Sequence, residues 1–344
     1  MTRLRNWVAA LATAGLLASG CGGGSEESSV TTIGVLSAAL SNTAEASTYR
    51  VAVYSGTTLR LPAIGFESVT ELDEERPLLV GEISSEREHF IIDLGALLEA
   101  LLDDAGDIGF ELWVDDEHIV FDTSNYQQFV DADPEIDLGP LAPGVFSIDL
   151  AAIGADSPEL LAALVGSSAP DLSELALSLP TALKEIEQTS TNPQIFVGTT
   201  TYADLLEAQG ADVEVFARSY AGGIALTQPR SVDALTEFYV DLFKGVDAEV
   251  VVELDERGLL RVLSTRVDLS GIYSNIFDDE SLFPETTELE RQQGKEQFAD
   301  AYFVVEFRSV YESDIDLEVP LPPAATEDRT AEWREFLINA GFEG

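Results

Sequence analysis

Short polar turns recur between segments of alternating apolar residues, and this pattern restricts the fold more than any other feature of the chain. Phe110–Val114 and His118–Asp122 flank Asp115-Asp116-Glu117, and Asp247–Leu254 and Leu259–Leu269 flank Asp255-Glu256-Arg257-Gly258. Phe298–Tyr311 and Ile315–Val319 flank Glu312-Ser313-Asp314. Alternation with period two marks strands that bury one face, and a glycine closing the turn supplies the left-handed residue a tight hairpin needs. Strands joined this tightly run antiparallel, because a parallel neighbour needs a long crossover. Tyr49–Leu61, Phe66–Leu72, Leu78–Ser84, Glu88–Asp93, Gln194–Ala203 and the more irregular Val213–Tyr220 read as further strands, for about ten in all.

Helical spacing appears between groups of these strands. Val30–Leu40 has apolar residues at Ile33, Leu36 and Leu40. Leu94, Leu97, Leu98, Leu101 and Leu102 form one stripe on one side of a helix, which stops at Asp103-Asp104-Ala105-Gly106. Pro158–Val165 has proline in its first turn, where the missing N–H costs nothing. Asp171–Glu187 reads as a helix broken near Pro180, and in Ser231–Lys244 the side chains of Leu235, Phe238, Tyr239 and Leu242 share a face behind an N-cap serine. Residues 271–297 read as an acidic insertion, and Ala331–Ala340 as a terminal helix outside the main body. Hairpin-linked strands with inserted helices predict an α+β fold, not a doubly wound parallel sheet.

The N-terminus carries a different signal. A short basic start (Arg3, Arg5) precedes an apolar run from Trp7 to Leu17 and then small residues, the order of an export signal and too short for a membrane span. Leu16–Gly24 reads Leu-Leu-Ala-Ser-Gly-Cys-Gly-Gly-Gly and contains Cys21, the single cysteine of the chain. This stretch resembles the lipobox of bacterial lipoproteins. The resemblance implies a diacylglyceryl group on the Cys21 thiol, cleavage after residue 20 and acylation of the new N-terminus. The family prefers leucine three residues before the cysteine, and this chain has Ala18 there. The competing reading, a buried structural cysteine, conflicts with the flanking glycines and the acidic, serine-containing stretch 22–29, which reads as a flexible tether.

With 63 acidic against 18 basic residues the net charge is −45, and loss of Arg3 and Arg5 with the signal makes it more negative still. Such a chain repels phosphate backbones, which excludes nucleic acid as a partner. It also repels anionic head groups, so attachment to a membrane falls to the acyl anchor. Disorder does not fit, because 45% of the residues are hydrophobic and lie in periodic segments. A single cysteine allows no internal disulfide.

Within this frame several segments resemble the LppX/LprAFG family of actinobacterial lipoproteins, relatives of the LolA/LolB fold. They are Phe146-Ser147-Ile148-Asp149-Leu150-Ala151-Ala152-Ile153-Gly154, Gly198-Thr199-Thr200-Thr201-Tyr202, Val250–Arg261, and Tyr311-Glu312-Ser313-Asp314-Ile315-Asp316-Leu317-Glu318-Val319-Pro320. They follow the family order over residues 31–323. The resemblance implies an antiparallel half-barrel of about ten strands, its concave face covered by helices, with an apolar cavity for acyl chains between them. It also implies binding and movement of lipids or lipoglycans in the cell envelope, and brings no catalytic residues.

Motifs of catalysis are missing from the sequence. The only histidines, His89 and His118, sit in strand-like runs without the helical spacing of a zinc motif and read as ordinary strand residues. There is no Gly-x-Ser-x-Gly elbow and no phosphate-binding glycine loop. Asp131-x-Asp133-x-Glu135-x-Asp137 lacks the glycine and glutamate of an EF-hand, since Ile136 and Ala142 hold those places, and reads as a solvated acidic loop.

The resulting expectation is a non-enzymatic lipoprotein without cofactor or metal, monomeric, exported, and anchored through lipidated Cys21 on the outer side of the cell membrane. Its parts are a signal peptide (1–20), lipidated cysteine and tether (21–29), a lipid-binding domain (30–323) and a tail (324–344). Its ligand is a lipid or lipoglycan, and Leu97, Leu98, Leu101, Leu161, Leu164, Phe238 and Leu242 are the candidate cavity lining. The alternative is an envelope sensor or protein-interaction module with no lipid cargo.

Overall fold

The computed structural model describes residues 26–339 except 47, 94–108, 116, 133, 135–137, 157–171, 219–220, 222–231, 279–281 and 283–285. In chain order the strands are β1 (Thr48–Leu61), β2 (Phe66–Thr70), β3 (Leu79–Ser84), β4 (Glu88–Asp93), β5 (Gly109–Val114), β6 (His118–Asp122), β7 (Val145–Asp149), β8 (Lys184–Thr191), β9 (Gln194–Thr201), β10 (Asp247–Leu254), β11 (Leu260–Asp268), β12 (Tyr302–Ser313) and β13 (Glu327–Asp328). The helices are α1 (Glu26–Ala44), α2 (Gln127–Ala132), α3 (Leu150–Asp156), α4 (Leu172–Ala182), α5 (Tyr202–Ala208), α6 (Val232–Gly245), α7 (Ile272–Asn275), α8 (Glu288–Gln297) and α9 (Thr330–Asn339).

All the strands join one sheet, in the order β13-β7-β6-β5-β4-β3-β1-β12-β11-β10-β9-β8, with β2 also on β1. Among the described residues the two ends of this path do not pair, so the sheet is open. Two antiparallel meanders, β1 with β3–β7 and β8–β12, meet where β1 pairs with β12 from Tyr49↔Ser313 to Arg60↔Tyr302. The first and last long strands therefore close the domain upon itself. β1 is long enough to take β3 along its first half and β2 along its second.

The architecture is α+β, but the sheet differs from an antiparallel one of about ten strands. Among the described residues it is 13-stranded and mixed, because β13 lies parallel to β7. β8 carries only one strongly apolar residue, Ile186, so it has no apolar period to announce it, and its register slips twice against β9. Ile315–Val319 does not extend the last hairpin: Asp314 takes φ 55° and turns the chain out of the ladder. Residues 213–218 are helical, not strand. Within the expected insertion, α7 and α8 pack together, and α8 starts on a capping box between Thr287 and Glu290.

The tail is part of the domain, not a helix apart from it. Trp333 of α9 lies against Phe121 (5.4 Å, 18°), which lies against Phe146 (5.2 Å, 13°), and the Arg329 guanidinium sits 4.3 Å over the Phe146 ring. Arg329 is buried, and it donates to the carbonyls of Pro140 and Ala142 and pairs with Glu327. These contacts satisfy a cation that burial would otherwise penalise.

The helix-bearing side of the sheet, its inner face, holds one contiguous core. Leu36 and Leu40 of α1 are fully buried in it, each stabilising by about 1.5–3 kcal/mol. α1 packs on α4, α4 on α5, and α5 on α6. Thr43 ties α1 to the sheet: its hydroxyl donates to Ala39 O (2.9 Å) and accepts from the Leu260 amide (2.7 Å). α5 starts on Thr201, whose side chain accepts from the Asp204 amide.

Candidate functional site

Side chains paired directly across antiparallel strands point to the same side of the sheet. One such row crosses the inner face through Phe110, Ile92, Leu79, Val53, Ser309, Leu263, Val252 and Phe196. Its burial changes along its length. Leu263 is 3% exposed, and Val252 and Phe196 are fully buried. Val53, Leu79, Ile92 and Phe110 are only half-buried, although they sit beside the same core.

The adjoining row on one side is closed. Phe121, Leu112, Phe90, Val51 and Tyr311 are all buried, with Gly81 between Phe90 and Val51. Gly81 has no room for a side chain: a Cβ there would stand 2.8 Å from the Phe90 ring and 3.0 Å from Val51. Glycine thus lets Phe90 lie across the strand and makes this row a solid wall.

On the other side the half-open surface continues along β1 and β12. Ser55 pairs with Phe307, Thr57 with Val305 and Leu59 with Phe303, and all are half-buried. Their neighbours in β10 and β11, Val250, Thr265, Ala248 and Val267, are covered. The result is an apolar floor running from Val53 to Leu59, about 20 Å at the rise of a strand. Its polar members are Ser55, Thr57 and the buried Ser309; Ser68 and Thr70 of β2 continue its rows, and among the described residues these rows hold no charged side chain. At its far end Phe303 meets Tyr273 of α7 at 6.1 Å, and Tyr273 and Phe277 both lie against Phe298. Burial pushes the Tyr273 phenol above its ordinary pKa.

Of the candidate lining, Phe238 and Leu242 belong to α6 and are core side chains, 9% and 7% exposed. Cys21, Leu97, Leu98, Leu101, Leu161 and Leu164 lie outside the described residues, as do Asp133, Glu135 and Asp137 of the acidic loop. Val53, Leu79, Ile92 and Phe110 were visible in the sequence only as strand residues. Alternation shows that one side of a strand is apolar, but not whether anything covers it.

A separate cleft of about 630 Å³ lies where α5 and the turn after it meet α6, lined by Glu207, Asp212, Glu214, Val240 and Lys244. Its charged rim does not suit an acyl chain.

The histidines lie away from the floor. His89 pairs with Glu82 and Trp113 on the opposite face of the sheet. Its imidazole is buried, stacked on Trp113 (4.7 Å, 17°), with Nε2 3.0 Å from Glu111 and Nδ1 3.5 Å from Glu82. Arg50 also bonds Glu82 at 2.5 Å. Burial alone would raise the Glu82 carboxyl, but hydrogen bonds from Arg50 and His89 outweigh it and hold the pKa below the ordinary value. Among the described residues, no cluster of His, Cys, Asp and Glu is arranged to hold a metal ion. No described helix is long and apolar enough to cross a membrane.

No protein-family model matches the chain, and no curated protein matches it in sequence. Among solved structures, the crystal structure of the lipoprotein LppX from Mycobacterium tuberculosis aligns with 84% of this chain and 98% of that chain, at 9% identity and a TM-score of 0.31. These values do not show family membership.

Proposed function

We propose that the chain is an envelope lipoprotein, anchored through acylated Cys21, that binds the acyl chains of a lipid or lipoglycan on the half-open floor of its sheet and carries them without making or breaking bonds. The observation that supports this is the split row: Val53, Leu79, Ile92 and Phe110 present apolar surface that the protein's own core does not fully cover, while the same row is sealed across β9–β11. About a dozen methylenes removed from water there would contribute about 10 kcal/mol, before the cost of ordering the chain. The lack of charge on the floor leaves selection of a head group to its ends. The lipobox-like segment and the ordered LppX/LprAFG-like segments supply the second line of support, the setting at a membrane.

The test is native mass spectrometry of the acylated protein from a host that makes envelope lipids. Co-purifying lipid is expected, with the load reduced in Leu79→Trp, which fills the floor. Protein that never carries lipid, and takes up no fluorescent acyl probe, would leave an envelope interaction module as the reading.

A further inference from the structure

The β1–β2 hairpin ends in an apolar tip. Pro62, Ala63, Ile64, Gly65 and Phe66 are consecutive, uncharged and exposed, with Ile64 61% and Phe66 40% exposed. Gly65 takes φ 66° to close the turn, and a side chain added there would meet nothing within 4 Å. In a chain of net charge −45, an exposed apolar run of this kind marks a contact surface.

We infer that this tip inserts into the interface of a lipid bilayer and sets the Leu59–Phe303 end of the floor against the membrane. Three features favour a bilayer over a protein. The tip is a narrow hairpin end, too small to supply the roughly 1,000 Å² that a stable protein interface needs. Directly behind it come Arg60 paired with Tyr302, then Arg266, whose guanidinium donates to the Tyr302 hydroxyl at 3.1 Å. Tyr302 is 36% exposed, and Arg60 and Arg266 are half-exposed, each also paired with a glutamate, Glu67 and Glu306. Apolar tip, then tyrosine and arginine, then acidic body is the order in which side chains sit across a membrane interface. Lastly, Leu59 and Phe303, where the half-open floor ends, lie at the base of this same hairpin, on the side away from the closed Val51–Phe90 row.

The test uses the acylated mature protein in phosphatidylcholine vesicles, with a polarity-sensitive fluorophore at Ile64→Cys or, for comparison, at Glu256→Cys in the turn at the opposite end of the sheet. Any residual labelling of Cys21 is common to both proteins, so the difference between them is the readout. Bilayer-embedded bromolipid should quench the label at position 64 at least about threefold more strongly than the label at 256. Equal quenching at the two positions would overturn the inference. A shift at position 64 that appears without vesicles and grows with protein concentration would overturn it in favour of contact between copies. A second measurement rests on the cargo reading: Ile64→Asp with Phe66→Asp should retain bound lipid in native mass spectra while taking up fluorescent lipid from vesicles at least about tenfold more slowly. Quenching at position 64 in a protein that carries no lipid would sink the cargo reading alone, whereas a loaded double variant with unchanged uptake would sink the tip.

Discussion

Ile92 and Leu263 occupy the same inward-facing row, so replacing each by alanine tests whether the row is sealed at one end and half-open at the other. Leu263 is 3% exposed among β10, β12 and the core helices. Leu263→Ala removes a fully enclosed side chain and leaves a cavity, for a cost of about 3 kcal/mol, within the range of about 2–5 for such changes. Ile92 already meets open space, so its loss forfeits only part of the transfer term and encloses no new void. We expect Ile92→Ala to cost about 1 kcal/mol. The order reverses for ligand: Ile92→Ala should lower the lipid load, and Leu263→Ala should leave it near wild type in the folded fraction. Urea unfolding with unchanged slope measures the first pair of values, and native mass spectrometry the second. Equal costs near 3 kcal/mol would mean that Ile92 is packed as tightly as Leu263, and the reasoning about the floor would fail.

Other outcomes follow from the same geometry. Gly81→Val should destabilise by at least about 1–3 kcal/mol, since its Cβ alone would press on Phe90 and Val51 inside a full core; an unchanged unfolding midpoint would contradict the closed row. Thr43→Val keeps the shape but leaves the Leu260 amide without its acceptor, for a loss of about 1–3 kcal/mol, and exchange of that amide should speed up by hydrogen–deuterium measurement. Glu82 has a folded pKa below its ordinary value, so the stability it contributes is present above the unfolded pKa and lost as pH falls through the folded one. Glu82→Gln should therefore flatten the acid side of the stability curve, whereas parallel curves for the two proteins would show that the pairing with Arg50 and His89 contributes nothing.

Most strand positions were legible because alternation with period two survives wherever one face is buried. β4, β6 and β10 begin and end where the pattern places them. β8 was not legible, because Lys184–Thr191 offers little apolar surface and is held mainly by its backbone ladder to β9. The place of the tail escapes local pattern for a related reason: Trp333 becomes a core residue only when Phe121 and Phe146, far away in sequence, provide rings to lie against. The candidate site was legible only in part. Phe238 and Leu242 show a helical apolar face, and that face is spent on the core.

Local pattern alone determined the antiparallel meanders and the α+β class, and it is the whole basis for reading the N-terminal segment as an anchor, because hairpin length, side-chain period and charge order act between near neighbours. Tertiary structure alone decided that β1 closes onto β12, that β13 joins in parallel, and that one row of like side chains is sealed over β9–β11 yet half-open over β1 and β3–β5. The physical reason is that a side chain's chemistry is set by its own residue, whereas its exposure is set by whatever distant part of the chain comes to lie over it.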